Sequence, residues 1–139
     1  MEKEFIPLEE AIQLKELGFD EECFAYYNID TLIINQVKVQ HLDYTVRCYL
    51  APLYQQAFRF FREKYEFTYS IGKTNIAVVH YGPTTQLLQN NESYEAAELA
   101  AIKWFIDVAK QQIADTSQWI SNEVDKMVVE QLIEIAKQQ

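Results

Sequence analysis

Three glycines and three prolines in 139 residues leave little material for linkers or low-complexity segments. With hydrophobic residues at 49% of the chain, that scarcity also excludes a disordered protein. No apolar run approaches the length of a membrane-spanning helix. The opening MEKEFIPLEE has neither the basic start nor the apolar stretch of a secretory signal. The expectation is a single cytoplasmic domain over 1–139 with no membrane partner, divided into a core over 1–115 and a C-terminal helix over 116–139.

Cysteine and histidine are equally sparse. Cys23 and Cys48 are too few and too far apart for a zinc knuckle or a Cys-x-x-Cys redox pair, so they read as buried free thiols. A cytoplasmic setting argues against a disulfide between them. His41, with Asp43 beside it, and His80 stand in separate segments without the spacing of a metal site or a catalytic triad. No catalytic residue, metal ligand or cofactor is therefore assigned.

Basic charge is the third shortage: 12 Lys and Arg stand against 21 Asp and Glu, a net charge of −9. Residues 1–40 carry three Lys and nine acids, and residues 74–139 carry four Lys and nine acids. Residues 41–73 hold five basic groups and three acidic ones, the only locally basic stretch. An acidic body repels phosphate at long range, although a local patch can still bind it.

What is present is periodic. PLEEAIQLKELGF predicts a helix over 8–17, with Pro7 at its start, Glu9 and Glu10 in the first turn, and Gly18 followed by Phe19 as a glycine stop. The acidic triplet Asp20, Glu21 and Glu22 lacks calcium-loop spacing and reads as a solvated turn. Thr31–Val39 is rich in β-branched residues, and Leu42–Leu50 alternates Leu42, Tyr44, Val46, Cys48 and Leu50 against polar neighbours. Together the two runs predict a hairpin.

From Pro52 onward the rings of Tyr54, Phe58, Phe61 and Tyr65 recur at helical steps and leave Arg59, Arg62, Glu63 and Lys64 on the remaining arc. After Glu66 the period becomes two through Phe67, Tyr69 and Ile71; GKTN turns, and NIAVVHY returns as a second strand ended by Gly82 and Pro83. TTQLLQNNES reads as a polar loop leading to a helix capped by Ser93, whose stripe is Leu99, Ile102, Ile106, Ala109 and Ile113. Asp115, Thr116 and Ser117 predict a break before a last amphipathic helix. The fold class expected is α+β: one antiparallel sheet of about four strands with helices on one face, plus the C-terminal helix.

Two surfaces follow as candidate sites. Arg59, Arg62 and Lys64, with Arg47 and Lys73, form a small basic patch that would suit nucleic acid if the neighbouring rings were exposed. Ile120, Val124, Met127, Val128, Leu132 and Ile135 form an apolar face suited to a protein partner or a second copy. SIGKT resembles the end of a phosphate loop, but Phe67 stands where that motif needs its first glycine.

The order of elements from Ala51 to Lys110 resembles a group of short uncharacterised proteins of gut Bacteroidales and their phages. The shared pieces are APLYQQAFRFFREKYEF and SYEAAELAAIKWFIDVAK, with a strand pair between them. Ala96 stands where the group has a second Glu, and the segment after Thr116 lies outside the resemblance. It implies an architecture and a phage or mobile-element origin but no activity. The functional expectation is a non-enzymatic interaction or accessory module, with a nucleic-acid-associated protein as the alternative.

Overall fold

The computed structural model describes residues 2–39 and 47–138. A single 3-10 turn, Glu2–Glu4, precedes α1 (Leu8–Glu16), followed by β1 (Cys23–Asn28), β2 (Thr31–Val39) and β3 (Cys48–Ala51). α2 (Tyr54–Tyr65) leads to β4 (Thr68–Ile71), β5 (Ala77–Tyr81) and β6 (Thr84–Leu88), and α3 (Tyr94–Lys137) is the last element. The class is α+β, as expected, and the described strands pair antiparallel. They form two sheets of three, β2-β1-β3 and β4-β5-β6, in place of one sheet of about four.

Two strands were missed in the sequence. CFAYY, following the acidic triplet, is the central strand β1, with Cys23, Ala25 and Tyr27 turned inward. Small Cys and Ala residues carry little strand signal, yet they suit a position covered on one face. Of the 42–50 run, the strand from Cys48 pairs with β1, and β2 flanks β1 on the other side; the expected hairpin between 31–39 and 42–50 is thereby replaced. Residues 42–46 of that run lie outside the described residues. TTQLL, read as loop, is the edge strand β6: its side chains are exposed up to Leu88, so no alternation marks it. It returns from β5 through Gly82-Pro83, with Tyr81 paired to Thr84. Gly82 has φ +54, and a glycine first in a two-residue turn supplies the positive φ that a type II′ hairpin needs.

α3 is one helix through Lys137, with no break at 115–117. Gln111 Nε2 donates to Asp115 Oδ1 at 2.9 Å and Gln118 Nε2 donates to Asn122 Oδ1 at 3.0 Å. These polar side chains bond along the helix surface, one turn away, and so do not compete with the backbone. The Ser93 cap is as expected: its Oγ accepts the Ala96 N–H at 3.0 Å. The chain divides into two compact units, Met1–Asp107 and Val108–Gln139.

The core of the first unit is aromatic. Phe61 of α2, Phe67 before β4 and Phe105 of α3 are fully buried, with Phe61–Phe105 centroids 5.4 Å apart and Phe67–Phe105 centroids 5.3 Å apart. Phe58 stacks on Tyr69 at 3.7 Å, and Trp104 Nε1 donates to Gln86 Oε1 at 3.0 Å, which ties α3 to β6. α1 ends as its sequence predicts: Gly18 has φ +95, and the Phe19 N–H donates to the Leu14 carbonyl at 3.0 Å. α2 ends without glycine, at Glu66 with φ +61, and the Phe67 N–H reaches back to the Phe61 carbonyl at 3.3 Å.

Candidate interaction surfaces

The rings of α2 decide how its cations can act. Tyr54, Phe58 and Phe61 are buried and Tyr65 is half-buried, which fits the predicted inward stripe. Phe60 is buried as well, edge-on to Phe19 at 5.5 Å. Arg59, Arg62 and Lys64 lie on the exposed arc. Arg59 pairs with Glu21 at 3.6 Å, while Lys64 Nζ donates to the Leu17 carbonyl and stands over the rings of Phe60 and Tyr65. Arg47 precedes β3, where its carbonyl accepts the Ile29 N–H at 3.0 Å, and Lys73 sits in the turn between β4 and β5. Two of the five predicted patch residues are thus engaged within the chain, and the α2 rings Tyr54, Phe58, Phe60 and Phe61 are buried, so they offer no exposed face for stacking.

The predicted apolar face of the C-terminal helix is open to solvent. Ile120, Val124, Met127, Val128, Leu132 and Ile135 are 49–60% exposed, and Trp119, Val129 and Ile133 add apolar surface off the stripe. Ile113, placed on the buried stripe by periodicity, is 47% exposed, so inward burial stops short of it. A helix draws most of its stability from packing an amphipathic face, and from residue 113 to 138 no described side chain of α3 is buried.

A third surface was not visible in the sequence because its residues come from four elements. The Phe5–Leu53 bridge and the Ile6 N–H donating to the Pro52 carbonyl at 2.9 Å hold residues 2–5 beside the start of α2. Glu4 and Lys3 thereby face Tyr54 of α2, Tyr69 of β4, and Tyr94, Glu95 and Glu98 of α3 across a cleft of about 560 Å³. Tyr54 is only 9% exposed, and its hydroxyl has no hydrogen-bond partner among the described residues. Burial, with Glu98 next and then Glu10 and Tyr27, pushes its phenol up to about 12. Burial and then Glu95 raise the Glu98 carboxyl, while burial, Tyr94 and Glu98 raise the Tyr69 phenol against an opposing pull from Arg62.

The remaining candidates resolve into structure. Gly72-Lys73-Thr74 lies in a strand-to-strand turn, where the Asn75 N–H donates to the Gly72 carbonyl at 3.1 Å; a phosphate loop would instead open a helix. His80 Nδ1 and Thr85 Oγ1, facing each other across β5 and β6, share a hydrogen bond of 3.0 Å. His41 and Asp43 lie outside the described residues. Cys23 and Cys48 are buried and form no disulfide; their Sγ atoms donate to the Glu21 carbonyl at 3.3 Å and to Asn28 Oδ1 at 3.9 Å. Glu10, 3% exposed, faces Lys103 Nζ at 3.8 Å, a buried acid with its counter-charge. Among the described residues no group of three or more His, Cys, Asp and Glu side chains is arranged to hold a metal ion, and no helix is long and apolar enough to cross a membrane.

Comparison of the chain with protein-family models, with curated proteins and with solved structures gives no match in any of the three.

Proposed function

We propose that this chain is an interaction module that associates with a second copy of itself through the Ile120–Ile135 stripe of α3. The observation that carries the reading is the exposure of all six stripe residues on a helix segment with no buried side chain. Contiguous apolar surface of this kind marks protein contact sites. A pair of such helices brings six aliphatic side chains from each copy together. At helical spacing Asp125 and Glu134 border the stripe on its two sides and suit the wet rim of such a pair.

Light scattering of the full chain and of a double variant, Val124→Glu with Val128→Glu, tests this. The expected result is a dimer mass for the parent chain and a monomer mass for the variant, with the first unit still folded by near-ultraviolet circular dichroism. A parent chain that stays monomeric at high concentration, or a variant that keeps the dimer mass, overturns it. The nucleic-acid reading rests on the α2 cations, and the burial of Tyr54, Phe58 and Phe61 withdraws the stacking rings it would use.

A further inference from the structure

The cleft between the 2–5 segment, α2, β4 and the start of α3 is charged in a way that the fold does not balance. It places Glu4, Glu95 and Glu98 opposite a single Lys3, and none of the three carboxylates lies within an ion pair among the described residues. Glu95 stands in the first turn of α3, where the helix dipole favours an acid. That account weakens for Glu98, a turn further in, and does not apply to Glu4 or to the three tyrosines. Glu95 and Glu98 stand three residues apart on one helix, so their charges repel. Tyr54, its side chain nine-tenths buried, also lines this space, and no described residue is hydrogen-bonded to its hydroxyl.

Ligand classes separate on these facts. An anion meets three carboxylates, and a neutral molecule leaves their repulsion in place. A quaternary ammonium suits aromatic walls but has no N–H for carboxylates and phenol oxygens to accept. A cation carrying N–H donors answers every feature of the site. We propose that this cleft binds a protonated alkylamine or a guanidinium group, with Glu98 and Glu95 as counter-charges, the Tyr54 hydroxyl accepting an N–H, and the rings of Tyr69 and Tyr94 as walls. The volume of about 560 Å³ admits either a free amine or the side chain of a lysine or arginine in a peptide. This site lies wholly in the first unit and stands independently of the α3 stripe.

Binding depends on pH through Glu98. The charged groups facing it are Glu4 and Lys3 from the 2–5 segment, Glu95 and Tyr94 on its own helix, Tyr54 from α2 and Tyr69 from β4, with Arg62 of α2 acting on Tyr69. Its carboxyl titrates above the ordinary range, so the carboxylate that attracts the cation fills in only as pH rises through that raised value.

Isothermal titration of the full chain at constant ionic strength tests the proposal with three probes: n-butylammonium, acetyl-lysine N-methylamide and acetyl-arginine N-methylamide. At least one should bind at one site per chain, with affinity increasing from pH 4 to pH 7. Glu98→Gln should weaken it by about tenfold or more, since a charge-assisted hydrogen bond is lost. Glu130→Gln removes the same net charge from an exposed position in the second unit and should leave binding unchanged. Stronger binding of n-butylammonium than of both capped amino acids identifies a free amine as the source, and the reverse order identifies a peptide side chain. The proposal is overturned if none of the three probes binds at millimolar concentration, if tetramethylammonium binds as well as they do, or if the two Gln variants lose affinity equally.

Discussion

Replacing Phe61 by Ala probes the claim that the rings of α2 build the fold. Phe61 is fully buried and meets Phe60 at 5.3 Å, Phe105 at 5.4 Å, and Tyr65 and Phe67 at 6.0 Å each. Truncation removes the transfer free energy of the ring and leaves a hole. Its walls belong to α2, α3 and the return into β4, so no single side chain can relax to fill it. A loss of about 3–5 kcal/mol is expected, toward the upper end because collapse is restricted. Against a total stability of roughly 5–15 kcal/mol that is a large share, equivalent to a fall in Tm of about 10–15 °C for a chain of this size. Urea unfolding followed by circular dichroism measures it, with Arg62→Ala on the exposed arc as the control expected within about 0.5 kcal/mol. A loss below about 1 kcal/mol for Phe61→Ala at unchanged m-value would refute the inward-facing stripe and return the aromatic helix to candidacy as a ligand surface.

Two further outcomes follow from local geometry. Ile29, first in the two-residue turn between β1 and β2, holds φ +60, a region that costs a β-branched residue about 1–2 kcal/mol. Ile29→Gly should therefore raise Tm by a few degrees in a thermal melt, and an unchanged or lower Tm would show that the turn is not strained. Burial, with Glu21 adding and Lys38 opposing, pushes the Cys23 thiol up to about 12. The unfolded thiol ionises near about 8.5, so this contribution to stability is complete below that pH and is lost as pH rises toward 12. Ellman's reagent at pH 8 should label the native Cys23 far more slowly than the urea-unfolded chain; equal rates would contradict its burial.

Where burial follows a regular period, the sequence revealed the fold. Tyr54, Phe58 and Phe61 on α2, Ile102 and Ile106 on α3, and the Gly18 stop of α1 were all legible for that reason. Strands built from small or wholly exposed residues were not: β1 hides its inward Cys23 and Ala25 behind an acidic approach, and β6 has no buried face to alternate. The Asp115-Thr116-Ser117 interruption misled in part because Asp115 accepts from Gln111 one turn back and so does not compete with the helix backbone. The apolar stripe of α3 was readable as a pattern, since it sits on one element. The cleft lined by Glu4, Tyr54, Tyr69 and Glu98 was not, because these residues meet only through tertiary folding.

The pairing of β1 with β2 skips: Cys23 lies opposite Val39 and Ala25 opposite Ile34, so Asn35, Gln36, Val37 and Lys38 together face Phe24 alone. Val37 at the crest is 74% exposed. Because the ladder resumes on both sides of this excursion, chain length there is uncoupled from the inward alternation of β1. The excursion is thus a natural graft point, where a short epitope or a fluorophore-bearing peptide could replace Gln36-Val37 while Cys23, Ala25 and Tyr27 keep their places.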